Sequence, residues 1–350
     1  MSIKHSTAPS KEGTINLYTI TNTHGASVVL SSLGAGIVSV TVPDKHGKLE
    51  NVVIGYRDPA DYMADGPCAG KTPGRYANHI ALGKLPVDGK EYQLAINNGP
   101  NALHGGPTGF QNHLWESKAE GDNKVVFTLA SPDGDEGYPG NLIATVTYEW
   151  TDSNELKIDY KATTDATTVI NLTNHTYFNL AGENSGTVLN QELKLACSKW
   201  LPTDATQIPT GKIESVKGTP MDFTEFKSLG KDIHEDFEAL KIGKGYDHCF
   251  VLDEYIPGQL ATAAVLRDKE SGRIVEVLTT QPGVQVYTGN WFGGETPLNP
   301  EGRAYQDYEG VALECQHFPD SPHHGNFPST ELKPGETFHE EIIFRFGIEK

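Results

Sequence analysis

The chain is dominated by short runs in which apolar and polar residues alternate. Such runs lie at residues 27–30, 124–129, 142–148, 156–160, 193–197 and 273–278. A period of two sends successive side chains to opposite faces of a β-strand, so the pattern predicts strands with one buried and one solvated face. Helical periodicity is hard to find. The best short candidate is residues 223–229, which Gly230 would end.

Turn signals separate these predicted strands. They include residues 44–47, 87–90, 133–134 and 268–272, and the chain has 37 Gly and 21 Pro. Strands that follow one another without alternating helices favour an antiparallel sandwich or barrel over a βαβ fold. No linker or repeat divides the sequence. We therefore predict one all-β domain over residues 1–350, a large antiparallel β-sandwich with few short helices and a loop-rich excursion at residues 203–245.

Composition narrows the class of protein. With 37% hydrophobic residues among 350, the chain can bury a sizeable core, and its formal net charge of -18 argues against nucleic acid or anionic membrane partners. Cys68, Cys197, Cys249 and Cys315 are far apart and form no CxxC pair, which predicts buried free thiols in a reducing compartment. No apolar run approaches the roughly 20 residues that span a bilayer. We expect a cytoplasmic protein.

Polar and aromatic residues are concentrated in five clusters. These are residues 73–80, 101–106, 174–179 and 245–250, and a pair formed by residues 281–288 and 313–320. Neutral polyols need polar partners for their hydroxyls and flat apolar faces for their ring carbons. The clusters therefore point to sugar binding, and a histidine in one of them with a glutamate in another offers a general acid and a general base.

Each cluster has a simpler structural interpretation when it is taken alone. Arg75 fits a surface ion pair, His104 and the two glycines after it fit a turn, and Asp247 fits a turn cap. His175 fits a hydrogen-bonded core histidine as well as a catalytic one. Glu314 interrupts an apolar strand, so it either faces solvent or is partly buried for a reason.

Motifs for other chemistries are missing from the sequence. There is no HExxH, zinc-ligand spacing, EF-hand loop, Walker loop, GxSxG elbow or GxGxxG after a strand. The adjacent His323 and His324 would point to opposite sides of an extended segment. We predict that the protein uses no metal and no cofactor.

Taken together and in order, the clusters resemble the aldose 1-epimerase (galactose mutarotase) family. The resemblance runs from about residue 34 to residue 346. Its motifs are residues 74–78, 87–92, 103–106, 135–140, 173–180, 246–248, 285–288 and 313–320. It implies a galactose mutarotase-like supersandwich that holds a sugar in an open cleft on one sheet.

The resemblance also implies roles for individual residues. His175 would be the general acid and Glu314 the general base. The expected substrate-binding residues are Asn78, His79, His104, Thr176, Tyr177, Asp247 and Gln285. One departure concerns His79, because the family usually has arginine there; its shorter reach and variable charge should affect sugar preference.

The predicted function is interconversion of the α and β anomers of free aldohexoses such as galactose and glucose, a step in hexose metabolism. We expect a nearby carboxylate to raise the protonated fraction of His175. The partner would be a monosaccharide, and the chain a monomer or weak homodimer. Alternatives are a non-catalytic sugar-binding protein, a glycoside hydrolase using Asp247 and Glu314, and an epimerase of phosphorylated hexoses.

Overall fold

Antiparallel strands make up most of the regular structure. The computed structural model describes residues 1–349, and Lys350, the last residue of the predicted domain, lies outside the described residues. In chain order the strands are β1 (Ser2–Ser10), β2 (Gly13–Thr21), β3 (Ser27–Ser31), β4 (Gly36–Pro43), β5 (Leu49–Asn51), β6 (His79–Ile80), β7 (Lys84–Val87), β8 (Lys90–Gln93), β9 (Ala102–Leu103), β10 (Glu116–Glu120), β11 (Lys124–Ser131), β12 (Leu142–Trp150), β13 (Glu155–Thr164), β14 (Thr168–Val169), β15 (Tyr177–Phe178), β16 (Glu192–Leu195), β17 (Lys199–Trp200), β18 (Glu214–Ser215), β19 (Lys227–Ser228), β20 (Asp247–Val251), β21 (Ala261–Arg267), β22 (Arg273–Thr279), β23 (Gly283–Tyr287), β24 (Val311–Gln316), β25 (Glu331–Leu332) and β26 (Phe338–Ile348). The predicted all-β class is confirmed.

Three large sheets hold twenty of these strands, and the other six strands form the two-stranded sheets β6-β9, β7-β8 and β14-β25. A five-stranded sheet follows the chain from β1 to β5, and a nine-stranded sheet has the order β10-β11-β12-β13-β26-β22-β21-β16-β19. A six-stranded sheet has the order β15-β24-β23-β20-β17-β18. Strands distant in sequence become neighbours in the last two sheets, so their register brings remote residues together.

The nine-stranded sheet follows the alternation that the sequence predicts. Along β12 the fully buried positions alternate with partly or fully exposed ones, and β13 continues the pattern. Val146 stands opposite Tyr160 and Tyr148 opposite Ile158, and all four belong to the main core. One face of this sheet is therefore apolar and packed, whereas the other carries charged pairs.

The main core gathers inward residues of the five-stranded, six-stranded and nine-stranded sheets. Phe178 of β15 packs edge-to-face on Phe344 of β26, with ring centroids 5.0 Å apart. Val284, Val286 and the other inward residues of the six-stranded sheet join the same apolar cluster. Truncating one such ring to alanine would cost about 3–5 kcal/mol, so this contact fixes how the two sheets sit on each other.

Helices are few and short, and the helix predicted at residues 223–229 was wrong. Asp222 there accepts hydrogen bonds from the backbone and hydroxyl of Thr224, which stabilises a turn, and β19 then pairs with β16. The α-helix, α1, lies at Glu238–Gly243, and single 3-10 turns lie at Pro59–Tyr62, Ala81–Gly83, Phe110–Asn112, Asp135–Gly137 and Ser321–His323. None of the helices within residues 1–349 is long and apolar enough to cross a membrane.

Candidate active site

A cavity of about 570 Å³ lies over the six-stranded sheet. Seven of the nine residues predicted for the site line it: Asn78, His79, His104, His175, Tyr177, Asp247 and Glu314. They come from parts of the chain more than 230 positions apart. The structure therefore brings the predicted cluster together, with two exceptions described below.

Register across the three neighbouring strands β20, β23 and β24 explains how the floor of the cavity is built. Glu314 on β24 stands opposite Gln285 on β23, and Tyr287 stands between Asp247 on β20 and Ala312 on β24. Because side chains of one strand alternate between faces, these polar residues share one face. Leu313 and its apolar neighbours point into the core.

His175 lies two residues before the start of β15, on a segment whose backbone is held by hydrogen bonds. Its N–H donates to the carbonyl of Lys71, and its carbonyl accepts from Gly70 N–H, both at 2.9 Å. The side-chain amide of Asn174 also donates to the carbonyl of Gly70 and to Tyr148 Oη. These hydrogen bonds therefore hold in place the backbone that carries the imidazole.

His175 and Glu314 meet inside the cavity with both side chains almost completely buried. His175 Nε2 lies 3.5 Å from Glu314 Oε1, while His175 Nδ1 and Glu314 Oε2 have no hydrogen-bond partner within the described chain. A separation of 3.5 Å is too long for a good hydrogen bond. The two side chains are therefore free to bind a ligand, one oxygen atom each, where both oxygens are bonded to the same carbon.

Burial governs the protonation of this pair. It lowers the pKa of His175 to about 4, and burial, with the charge of Asp247 second, raises the pKa of Glu314 well above its ordinary value. The expectation that the carboxylate raises the protonated fraction of His175 was therefore wrong for the free site. Desolvation is the largest cause of both shifts, and it favours the neutral form of each group.

Asp247 is held by two amides. Gln285 Nε2 donates to one carboxylate oxygen at 2.7 Å and Gln207 Nε2 to the other at 2.9 Å. Burial raises the pKa of Asp247, and these hydrogen bonds oppose the rise. Gln285 does not line the main cavity; it lines a pocket of about 10 Å³ beside it, so it reaches the site through Asp247.

His104 follows β9 in a tight turn. Its Nδ1 accepts the backbone N–H of Asn78 at 3.0 Å, and burial lowers its pKa well below the usual range. A neutral ring whose Nδ1 accepts carries its hydrogen on Nε2. A Cβ on the next residue, Gly105, would lie 1.9 Å from the carbonyl oxygen of Gly74, so only glycine permits this close approach.

His79 has an amide oxygen beside each ring nitrogen. Asn78 Oδ1 accepts the backbone N–H of His79 at 2.9 Å and lies 2.8 Å from its Nδ1, and Asn98 Oδ1 lies 3.2 Å from its Nε2. Burial lowers the pKa of His79, and a neutral ring donates through only one of these two nitrogens.

Tyr177 and Thr176 behave differently from each other. The Tyr177 ring lies 5.0 Å from that of His175 and forms the cavity wall, while its hydroxyl donates to the carbonyl of Pro67. Thr176 is buried, does not line the cavity, and its hydroxyl has no partner within the described chain. The predicted contact of Thr176 with substrate has no support in this geometry.

Sequence reasoning missed several lining residues. Gln207, Trp291 and Phe292 line the cavity, and Gln207 comes from the excursion at residues 203–245. A turn between Thr203 and Pro209, held by Asp204, carries Gln207 back to the sheet. Its sequence surroundings give no signal of this, because only the register of β17 against β20 places that turn at the site.

Arg75 was also misjudged, because the surface ion pair predicted for it was wrong. Its side chain is 2% exposed, and its guanidinium donates to the carbonyls of Pro139 and Gly140 and to the hydroxyl of Ser131. These bonds attach the turn around residues 131–140 to the strand segment that leads to Asn78. Arg75 is therefore a structural residue behind the site.

One donor set within residues 1–349 resembles a metal site at the cavity. Nitrogen and oxygen atoms of His104, His175 and Glu314 lie within 4.8 Å of one another. However, the lone pair of His104 Nδ1 already accepts from Asn78, and Nε2 carries the hydrogen. A cation would have to break that arrangement, so the set is better suited to proton transfer.

The fold and the site together define a class: an all-β sandwich with a cavity rich in sugar-compatible groups and a buried histidine–glutamate pair at its floor. The aldose 1-epimerase family model matches residues 16–345. Galactose mutarotase of Mus musculus is 42% identical over 340 residues, covering 97% of this chain and 96% of that protein. Aldose 1-epimerase of Escherichia coli K12 is 38% identical over 335 residues, covering 95% of each.

Solved structures agree with the sequence relatives. A GalM/aldose epimerase homologue from C. elegans has a TM-score of 0.86 at 30% identity, and a galactose 1-epimerase from Lactobacillus acidophilus has 0.85 at 28% identity; both cover 100% of each chain. The chain belongs to the aldose 1-epimerase family. It is an enzyme, a carbohydrate isomerase, and the predicted galactose mutarotase-like fold is confirmed.

Proposed function

We propose that this enzyme interconverts the α and β anomers of free aldohexoses such as galactose and glucose, with His175 and Glu314 as its acid–base pair. The family and the β-sandwich fold support the reaction. The observation that carries the residue assignment is the approach of the buried His175 and Glu314 to 3.5 Å inside the cavity. The two groups can reach the two oxygens on the anomeric carbon at once.

The reaction consists of two proton transfers and one bond rotation. Glu314 removes the proton of the anomeric hydroxyl while His175 protonates the ring oxygen, and the bond between that oxygen and C1 breaks to leave an aldehyde. Rotation about C1–C2 turns the other face of the carbonyl to the hydroxyl. Ring closure returns both protons, so atoms and charges balance without any further reactant.

The electrostatics of the site suit the open-chain stage. After ring opening, Glu314 is protonated and His175 is neutral, which are the forms that burial favours for each group. In the closed-ring complex the carboxylate must accept a hydrogen bond from the anomeric hydroxyl, and such a bond stabilises its charged form. Substrate binding therefore charges the pair, and ring opening neutralises it.

Three neighbouring side chains would hold the remaining hydroxyls. Asp247 is an acceptor fixed by two amides, His104 presents an N–H, and the His79 imidazole lines the cavity beside them. A sugar hydroxyl both donates and accepts, so a mixed set of this kind recognises polyols. The neutral His79 provides hydrogen bonding without the fixed charge of an arginine.

Cellular context remains a prediction. Action in the cytoplasm and in hexose metabolism, the absence of nucleic acid and membrane partners, and a monomer or weak homodimer are proposals here. The four cysteines are free and buried, which is the usual state of thiols in a reducing compartment.

Polarimetry of freshly dissolved α-D-galactose and α-D-glucose tests the proposal. We expect the wild-type enzyme to accelerate mutarotation and His175→Asn to lose about 10²–10⁴-fold in kcat. His339→Asn is the matched control, because His339 pairs with Asp159 on the nine-stranded sheet, away from the cavity. Near-normal turnover by His175→Asn would remove this residue from the mechanism, and no acceleration by folded wild-type enzyme would refute the activity.

The pH profile gives a second test of the pair. In the free site His175 should gain a proton near its pKa of about 4. Glu314 should lose its proton at its raised pKa. A plot of kcat/KM should therefore be bell-shaped, with an acid limb near pH 4. An acid limb that is unchanged in His175→Asn would assign it to another group.

A further inference from the structure

A buried ion pair between Lys71 and Asp65 joins the two ends of the loop at residues 65–71. The Lys71 side chain is 1% exposed and the Asp65 side chain 0%. Residues 66–68 of the loop line the cavity, whereas neither member of the ion pair does. Removing two charges from water is costly unless each is fully partnered, so the contacts of this pair show what it holds together.

The partners of the ion pair come from separate segments of the chain. The Lys71 ammonium also donates to the carbonyl of Tyr62 and to Asn112 Oδ1. Together with the Asp65 carboxylate, these groups give each of its three N–H donors an acceptor. The second carboxylate oxygen of Asp65 accepts the hydroxyl of Tyr56 at 3.0 Å. The pair therefore connects the loop to two other parts of the fold.

The loop in turn holds the backbone of His175. Ala69 N–H donates to Asp65 Oδ2 at 2.9 Å, and the next N–H, that of Gly70, donates to the carbonyl of His175 at 2.9 Å. His175 N–H donates to the carbonyl of Lys71, also at 2.9 Å. Lys71 therefore binds the backbone of His175 while its own side chain fixes the loop.

Lys71 also acts on His175 through its charge. Burial is the largest cause of the low pKa of His175, and repulsion by the Lys71 ammonium lowers this pKa further. The other ionisable side chains around the imidazole and along the adjoining cavity wall are Cys68, His104, Tyr177, Tyr287 and Glu314. Burial shifts the pKa of each of them toward its neutral form. The ammonium therefore acts on the imidazole from among neutral neighbours.

We propose that Lys71 and Asp65 are positioning residues for His175. The inference rests on the proposed function, in which His175 gives its proton to the ring oxygen of the sugar. The ion pair fixes the loop to which the His175 backbone is bonded, and the ammonium disfavours the imidazolium relative to the neutral imidazole. Proton transfer to the ring oxygen relieves this repulsion, so the cation favours ring opening. The Asp65 carboxylate allows the cation to be buried at this position.

Replacing both charged groups with neutral ones of similar shape tests this role without leaving a lone buried charge. In Lys71→Met/Asp65→Asn the new amide oxygen can still accept from Tyr56 and Ala69, so we expect the protein to fold. Loss of the ammonium should raise the acid limb of kcat/KM for galactose by about half to one pH unit. Asp65→Asn alone keeps the ammonium and removes its counter-charge, so its acid limb should move to lower pH.

Proton binding by His175 can also be followed without turnover. Histidine-selective ¹⁵N NMR of the free enzyme gives the titration midpoint of each imidazole, and the His175 signal is the one missing from His175→Asn. We expect this midpoint to rise in Lys71→Met/Asp65→Asn by the same amount as the acid limb. If the double variant does not fold, Asp65→Asn decides the question by the direction of its shift.

Lys227→Met/Asp232→Asn is the matched control. Lys227 and Asp232 form another largely buried ion pair, whose ammonium also donates to a backbone carbonyl, that of Pro220, and neither residue lines the cavity. This control should leave the acid limb and the His175 midpoint at their wild-type values.

Two results would overturn the positioning role. One is a folded Lys71→Met/Asp65→Asn protein with the acid limb and the His175 midpoint of the wild type. The other is an upward shift of both quantities in Asp65→Asn alone, because a loosened loop rather than the cation would then explain the change. Failure of the wild-type enzyme to accelerate mutarotation would instead refute the proposed function, and the NMR midpoints would separate that result from the effect of the ion pair on His175.

Discussion

The nine-stranded and six-stranded sheets follow the same alternation of apolar and polar residues with opposite consequences. On the nine-stranded sheet the polar positions reach solvent, where Glu276 pairs with Arg345. On the six-stranded sheet the corresponding face is covered by loops, and Glu314 is 2% exposed. The alternation of apolar and polar residues therefore indicates that the two faces of a sheet differ. Whether the polar face can form a binding site depends on whether other segments bury it.

Burial of the polar face has an energetic cost that the other sheet avoids. Glu314 Oε2, Gln285 Oε1 and His175 Nδ1 are buried without partners within the described chain. Such atoms cost about 1–3 kcal/mol each when desolvated. A sugar would supply the missing hydrogen bonds, so the instability of this face is a feature of a binding site.

The largest difference between the sheets should appear in catalysis. Glu314→Gln removes the proposed base while keeping the shape of the side chain, so kcat for galactose should fall about 10³–10⁴-fold. Glu276→Gln, the equivalent change on the nine-stranded sheet, should leave kcat within twofold. Polarimetry with both variants measures the two kcat values. Equal kcat values would contradict the proposed difference in function between the two sheets.

Acid should destabilise the fold through three buried histidines that lie in or beside the six-stranded sheet. Burial lowers the pKa values of His175, His248 and His317 to about 4, while in the unfolded chain they stay near 6.5. Below pH 6.5 the unfolded chain gains protons that the folded chain refuses until about pH 4, so the free energy of unfolding falls over that interval. Each such shift corresponds to about 3 kcal/mol.

Urea unfolding followed by tryptophan fluorescence at pH 7, 6, 5 and 4.5 measures this loss. His175→Asn should flatten the curve because one buried imidazole no longer titrates. A pH-independent free energy of unfolding between 6.5 and 4.5 would show that these histidines are not held neutral.

Substrate contacts should produce an intermediate effect. Asp247→Asn removes the charge that accepts from Gln285 and Gln207, and a hydrogen bond to a charged group contributes about 1.5–3 kcal/mol. We expect kcat/KM to fall about 10- to 100-fold, mainly through KM. Gln207→Ala removes only a supporting amide and should cost about fivefold. A larger loss in Gln207→Ala than in Asp247→Asn would reverse the proposed order of contacts.

The smallest effect is on stability and should have opposite signs on the two sheets. The folded state raises the pKa of Glu314, so this carboxyl destabilises the fold as pH rises through that pKa. Glu314→Gln should therefore raise the free energy of unfolding at pH 8 by about 1 kcal/mol. Glu276→Gln loses a partly exposed ion pair and should lower it by about 0–1 kcal/mol. A destabilised Glu314→Gln protein would contradict the cost assigned to the buried face.

Much of this molecule could be predicted before the structure. Period-two runs indicated the strands of the nine-stranded sheet, and the ordered motifs indicated the family and the His175–Glu314 pair. The helix predicted at residues 223–229 does not form because a turn at Asp222 and the pairing of Lys227 with Leu193 override a weak helical pattern. The surface position predicted for Arg75 was wrong because six hydrogen bonds to distant segments compensate the burial of its guanidinium.

Local sequence alone specified the alternation that separates the two faces of each strand and the kinds of side chain available for sugar chemistry. Tertiary folding selected which strands are neighbours, and hence placed Glu314 beside Gln285 and near His175. It also decided that Gln207 and Trp291 join the cavity, and that desolvation holds His175 neutral. The reason is physical: alternation is local to a strand, whereas register, burial and pKa depend on segments far apart in the chain.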